Sequence, residues 1–231
     1  MGPPAWLTAM AWAALSLGFA TAAAILGDIY HRGFRQRMRI IEIVWPVTAI
    51  YFGPLALWMY WRYGRSNSHR WLREHWLDQP PDKPNWATTA IGVSHCGAGC
   101  TLGDIIAEFA AFALGLELLG RALWPEFIGD YAAALALGIL FQYFAIAPMR
   151  GMGFRDGIVA AAKADVLSLT AFEVGLFGWM AVMAFVLFPT EPLHPNTAAY
   201  WFLMQVGMII GFATAWPANV WLIRRGIKEA M

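Results

Sequence analysis

Both cysteines of this chain lie in one stretch, Ser94-His95-Cys96-Gly97-Ala98-Gly99-Cys100-Thr101-Leu102-Gly103-Asp104, and Glu108 follows one turn later. On a helix, residues four apart stand above one another, so Cys96, Cys100, Asp104 and Glu108 form one slowly drifting stripe. Two thiols one turn apart can address a single ion. A disulfide between them is disfavoured, because a regular helix does not present the required torsion. The C-x-x-C spacing of redox proteins is absent. Thiolates select soft metals, and thioethers favour monovalent copper. Met204 and Met208 repeat the four-residue spacing, and Met149 and Met152 flank Arg150-Gly151. The leading expectation is a Cu(I)-type site of Cys96, Cys100, Met204 and Met208. His95 is either an outer ligand or a bonded structural histidine, and Met149 and Met152 are secondary donors. Packing is the competing reading, since methionine fills apolar gaps and buried free cysteine behaves as a small hydrophobe.

A second constellation is acidic. Asp104, Glu108, Asp165 and Glu173 stand in strongly apolar surroundings. A carboxylate at the centre of a bilayer costs about 3 kcal/mol on insertion scales, so it faces a polar interior and marks an ion or proton path. These four are expected to relay protons or cations. The alternative is a set of charge pairs fixing helix packing, Glu108 with Lys163 or Glu173 with a group on the helix that carries the thiols. Glu117, near Arg121, reads as interfacial.

The elements that must position these groups are membrane helices. Of 231 residues, 59% are hydrophobic and only 13% charged, with mean hydropathy +0.51 and net charge +1. Too few charges exist to cover a water-facing surface. A disordered chain, a nucleic-acid-binding module and a disulfide-stapled domain are excluded on the same figures. Charge-poor runs near the roughly 20 residues needed to cross a bilayer predict an all-α, polytopic bundle. About six spans are expected, at 5–27, 40–61, 90–119, 128–149, 164–188 and 198–223, in one transmembrane domain over 1–231. Tryptophans near the span ends fit interface anchors. The first span lacks a preceding Lys or Arg and reads as retained rather than cleaved.

The connecting loop 63–84 reads as a solvated connector with an interfacial helix, or else a cytoplasmic lid or metal-collecting loop. Lys and Arg counted on alternate sides favour both termini in the cytoplasm, eleven against five, although the cluster at 32–39 opposes it. Pro217 interrupts the last span, as in broken transporter helices.

A weak duplication is visible. Ala14-Leu15-Ser16-Leu17-Gly18 resembles Ala134-Leu135-Ala136-Leu137-Gly138, and the stretch 96–103 lies over 204–211 with sulfurs and glycines in register. Halves 1–120 and 121–231, each with three crossings, would form an inverted 3+3 repeat of the transporter kind. Gly99 and Gly103 would then meet Gly207 and Gly211 at a tight crossing of the third and sixth spans.

The run Gly92-Val93-Ser94-His95-Cys96-Gly97-Ala98-Gly99-Cys100-Thr101-Leu102-Gly103-Asp104 resembles the hallmark of a prokaryotic membrane family known only as a domain of unknown function. Val44-Trp45-Pro46-Val47-Thr48-Ala49, Lys163-Ala164-Asp165 with Ala171-Phe172-Glu173, and Trp221-Leu222-Ile223-Arg224-Arg225-Gly226 extend the resemblance over about 28–231. It implies a multi-pass prokaryotic inner-membrane protein and no activity. From the residues themselves, the first expectation is binding and transport of a soft metal ion. The alternatives are a membrane oxidoreductase, using Cys96 and Cys100 or a haem at His95, and a non-transporting metal storage or assembly factor. Expected partners are the bilayer, the metal ion and either a second copy or a metallochaperone, with no nucleic acid. No nucleotide-binding loop is present, so transport would be passive, gradient-coupled or driven by a partner.

Overall fold

Among the described residues, five apolar runs become helices long enough to cross a membrane. They are α1 (Ala5–Tyr30), α5 (Asn85–Leu114), α6 (Leu123–Arg150), α7 (Phe154–Val182) and α8 (Ala198–Arg224). A computed structural model describes residues 2–228, the side chains of 146–150 excepted, and no strand occurs among the described residues. A turn of wider π geometry, Met183–Leu187, prolongs α7. Large apolar side chains such as Trp6, Trp12 and Phe19 on α1 stand exposed, as lipid-facing residues should.

The run expected to be the second span behaves differently. It forms α2 (Ile41–Phe52), breaks at Gly53, and resumes as α3 (Pro54–Met59), followed by tighter and wider turns and then α4 (His69–Glu74). Gly53 has φ +54°, a left-handed backbone that glycine adopts without steric cost. Pro54 behind it also disfavours helical geometry at Gly53. The chain therefore turns back. The Trp45 and Tyr60 rings meet edge to face at 5.7 Å, and Tyr60 donates to Asp28 at 2.9 Å, near the end of α1. Arg65 reaches the same carboxylate at 3.2 Å. At the opposite extreme, the Ile50 carbonyl accepts from Gln205 at 2.6 Å and packs on Gly18, while Phe52 meets Phe212 at 4.9 Å. Gly18, Gln205 and Phe212 are mid-helix residues. The stretch 41–64 is thus a re-entrant hairpin whose tip reaches mid-depth.

This path assigns every connection to one of two rims. Gly2 and Pro3 line a cavity with residues of 187–197, and Phe112 stacks near His194 at 5.8 Å, defining an N-terminal rim. The opposite rim collects 31–40, 63–84, 151–153 and 225–228. There the loop 63–84 folds onto 31–40: His69 donates its amide to the Arg35 carbonyl at 3.2 Å, and Arg65 lies 3.7 Å over the Phe34 ring. Arg70 donates to Glu74 at 2.6 Å and holds that carboxyl below the usual range. The clusters at 32–39 and 62–83, expected on opposite sides, share one side. Of the sixteen Lys and Arg, only Arg121 belongs to the N-terminal rim. The hairpin also unbalances the expected halves. Residues 1–120 cross twice, and α1 and α6 run in the same direction, whereas an inverted repeat requires opposite directions.

Glycines set the closest helix crossings, though between other partners than expected. A β-carbon on Gly103 would stand 2.5 Å from the Ala134 nitrogen, and one on Gly99 3.0 Å from Gly138, so these two seat α5 on α6. Gly211, whose β-carbon would lie 2.8 Å from the Phe172 carbonyl, and Gly207, against Leu176, seat α8 on α7. The four glycines do not meet one another across α5 and α8.

Candidate functional site

The small residues Gly97, Ala98, Gly99 and Gly103 let α2, α6, α7 and α8 close around the middle of α5, and every residue from Thr89 to Thr101 is buried. Cys96 and Cys100 have no exposed surface and are free thiols. Both turn toward carboxyls of α7: Cys96 faces Asp165, and Cys100 faces Glu173. The hairpin tip adds Tyr51, whose hydroxyl stands 3.0 Å from where a Gly97 β-carbon would be and which interacts with both thiols.

Met204 and Met208 are buried in the same apolar cluster as the two cysteines. Met208 accepts the Thr101 hydroxyl at 3.4 Å. The four sulfurs therefore belong to one buried cluster of the bundle, while the polar groups that face the thiols come from α7 and α2. His95 is wholly buried, edge-on to Phe141 at 6.2 Å, with the Phe141 backbone as its polar neighbour. Met152 is half-buried in the turn between α6 and α7, apart from the thiol cluster, and Met149 falls outside the described side chains. Among the described residues, no three of His, Cys, Asp and Glu are grouped to hold a metal ion.

The acids are brought together more completely than the sulfurs. Asp104, Glu108, Asp165 and Glu173 are each at most 1% exposed. Asp104 feels both Glu173 and Glu108, and Glu108 faces Asp130 and Tyr200. Glu126 and Tyr200 continue the line into a cavity of about 320 Å³ at the N-terminal rim, lined also by Glu117, Arg121 and His194. At the other end Asp165 sits 3.7 Å from Lys228, whose side chain is fully buried. The expected partner of Glu108, Lys163, is exposed. The polar neighbours of Asp104, Glu108, Asp130 and Glu173 are one another, Tyr200 and Cys100, with no basic side chain among them.

Asp130, Tyr51 and Lys228 escaped sequence reasoning. Asp130 lies only two residues inside the expected span 128–149, at an edge where nothing in the sequence marks an acid as buried. Packing shows it: Gly129 lies against Ala107 of α5, and Asp130 beside it faces Glu108. Lys228 reads as an ordinary cytoplasmic lysine. Only the left-handed Gly226 (φ +65°), which turns the chain back after α8, carries it inward.

These features define a multi-pass helical membrane protein with a buried polar column. Residues 85–228 match the family described as a domain of unknown function (DUF4396), and the chain belongs to that family. The match contains every column residue from Cys96 to Lys228 and leaves out the hairpin with Tyr51. No curated protein and no solved structure matches the chain.

Proposed function

We propose that this protein is a membrane cation carrier whose cargo is a soft metal ion, Cu(I) first, exchanged against protons held by the acidic column. One observation carries the reading: a line of buried carboxyls, Glu108, Asp130, Asp104 and Glu173, facing one another rather than a basic side chain, runs from a rim cavity past two free thiols. Packing by charge pairs does not account for it, because Asp104, Glu108, Asp130 and Glu173 face one another and not a cation. Groups that cost about 3 kcal/mol each when charged must spend their time neutral or hold a positive ion. The thiols midway along the line supply the preference for soft ions. The rim cavity favours carriage over storage, since it connects the column to the surface.

The basic rim is the cytoplasmic one on this reading, because Lys and Arg gather on the inner side. That places the N-terminus outside and the C-terminus inside, in place of two cytoplasmic termini. An impermeant maleimide added to intact spheroplasts should label Pro3→Cys and spare Glu74→Cys. The reverse pattern would invert the assignment.

The carrier itself is tested in proteoliposomes with Ag(I), a redox-stable substitute for Cu(I). Uptake should be accompanied by proton counterflow. Glu173→Gln should cut flux by about tenfold or more, equal to at least 1.4 kcal/mol, while binding in detergent changes less than about threefold. Liposomes that bind Ag(I) without passing it would point to storage. Wild-type flux in Glu173→Gln would remove the column from the mechanism.

A further inference from the structure

On the basic rim, Arg32 and Arg65 pair with Asp28, Arg35 with Glu42, and Arg70 with Glu74. Among the described residues Arg37 and Lys83 have no acid partner, and both line one cavity of about 570 Å³. That volume falls in the range of small-molecule sites. Lys83 is partly buried, and burial alone pushes its ammonium below the usual lysine range. The two walls of the cavity come from either side of the re-entrant hairpin. One is 36–38, fastened by the backbone bridge from Gln36 to Ser68, and the other is 80–88.

α5 starts in that second wall, with no capping side chain and no acid in its first turn. The positive end of a 30-residue helix is thus left uncompensated beside two free cations, an arrangement that favours phosphate. Two acceptors complete the lining. Gln36 is 3% exposed; its amide nitrogen donates to the Phe34 carbonyl at 3.0 Å, and its side-chain oxygen has no partner among the described residues. Asp82 is the other acceptor. Phosphate oxygens satisfy Arg37, Lys83 and the helix end, and hydroxyls donate to Gln36 and Asp82. Two cations against one acid match a single net negative charge. The level in the membrane is marked by Trp86, in the first turn of α5, stacked on Trp58 at 6.4 Å with both rings half-exposed. Tryptophans gather at the depth of lipid headgroups.

We propose that this cavity binds the headgroup of an anionic phospholipid, a phosphodiester bearing free hydroxyls as in phosphatidylglycerol. A bound lipid ties 36–38 to 80–88, the two flanks of the hairpin. Glycerol phosphate in solution shares the headgroup chemistry, and the tryptophan pair beside the cavity favours the lipid. The site does not depend on the cargo of the column.

The full-length protein, purified in a non-ionic detergent and stripped of lipid, is titrated with phosphatidylglycerol, phosphatidylcholine and glycerol 3-phosphate under native mass spectrometry. Phosphatidylglycerol should bind at least about tenfold more tightly than either of the others. Arg37→Gln with Lys83→Gln should weaken it by about tenfold or more, and Arg37→Lys with Lys83→Arg by less than about threefold. Arg39→Gln with Arg73→Gln removes the same charge from the rim outside the cavity, and should also cost less than about threefold. Phosphatidylglycerol should raise the melting temperature of wild type by about 4 °C or more, and leave that of Arg37→Gln with Lys83→Gln unmoved. Equal losses in the two glutamine pairs would reduce the site to diffuse attraction and overturn the inference. Glycerol 3-phosphate binding as tightly as the lipid would overturn it too, in favour of a soluble phosphate.

Discussion

Ag(I) and Cu(I) affinity should fall by about a hundredfold or more in the Cys96→Ser, Cys100→Ser double variant, because hydroxyls replace the soft donors that select these ions. Serine occupies nearly the same volume, so the tightly packed middle of α5 keeps its neighbours and the effect isolates chemistry from packing. Each single replacement should cost less than the pair, since one thiol remains beside its α7 carboxyl. Met208→Leu should cost only about tenfold: the swap conserves volume, and its sulfur already accepts the Thr101 hydroxyl. Competition against a coloured Cu(I) chelator gives the affinities, and X-ray absorption counts the sulfurs around silver. Unchanged affinity in the double variant would end the metal reading and leave the acids as a proton path alone.

Gly103→Leu should be the most damaging single substitution outside the column. Its β-carbon would meet the α6 backbone at 2.5, 2.7 and 2.8 Å, at Ala133 and Ala134. Backbone cannot rotate out of the way as a side chain can, so the two helices must part. Overpacking of this kind costs about 3 kcal/mol or more. It would also separate Asp104 and Glu108 on α5 from Asp130 on α6, so cation flux should fail even in the fraction that remains folded. Gly27→Leu supplies the contrast, with nothing within 4 Å of its β-carbon, and should melt like wild type. Thermal unfolding in detergent, followed by tryptophan fluorescence, measures both. Equal melting of Gly103→Leu and wild type would show that the crossing of α5 and α6 is looser than described.

The sulfur and acid positions were legible because they depend on helical period and local hydropathy. Cys96, Cys100, Asp104 and Glu108 fall on one face of any helix through them, and that face is buried. Their partners were not legible. A glycine every four residues announces that some helix approaches closely, but the same pattern serves any neighbour. So spacing alone pairs Gly99 and Gly103 with Gly207 and Gly211, whereas helix rotation turns the first pair toward α6 and the second toward α7. The thiols consequently look at Asp165 and Glu173 on α7.

Composition and periodicity alone determined that this chain is helical, embedded in lipid and furnished with thiols and carboxyls where lipid-embedded helices rarely carry them. These are properties of a segment and its solvent. Tertiary structure decided that Gly53 sends the second apolar run back to the rim it came from, that Asp130 joins acids some twenty residues away, and that Lys228 folds inward onto Asp165. Each of these depends on which surfaces meet after the helices have packed, and a one-dimensional pattern of apolar and charged residues does not encode that meeting.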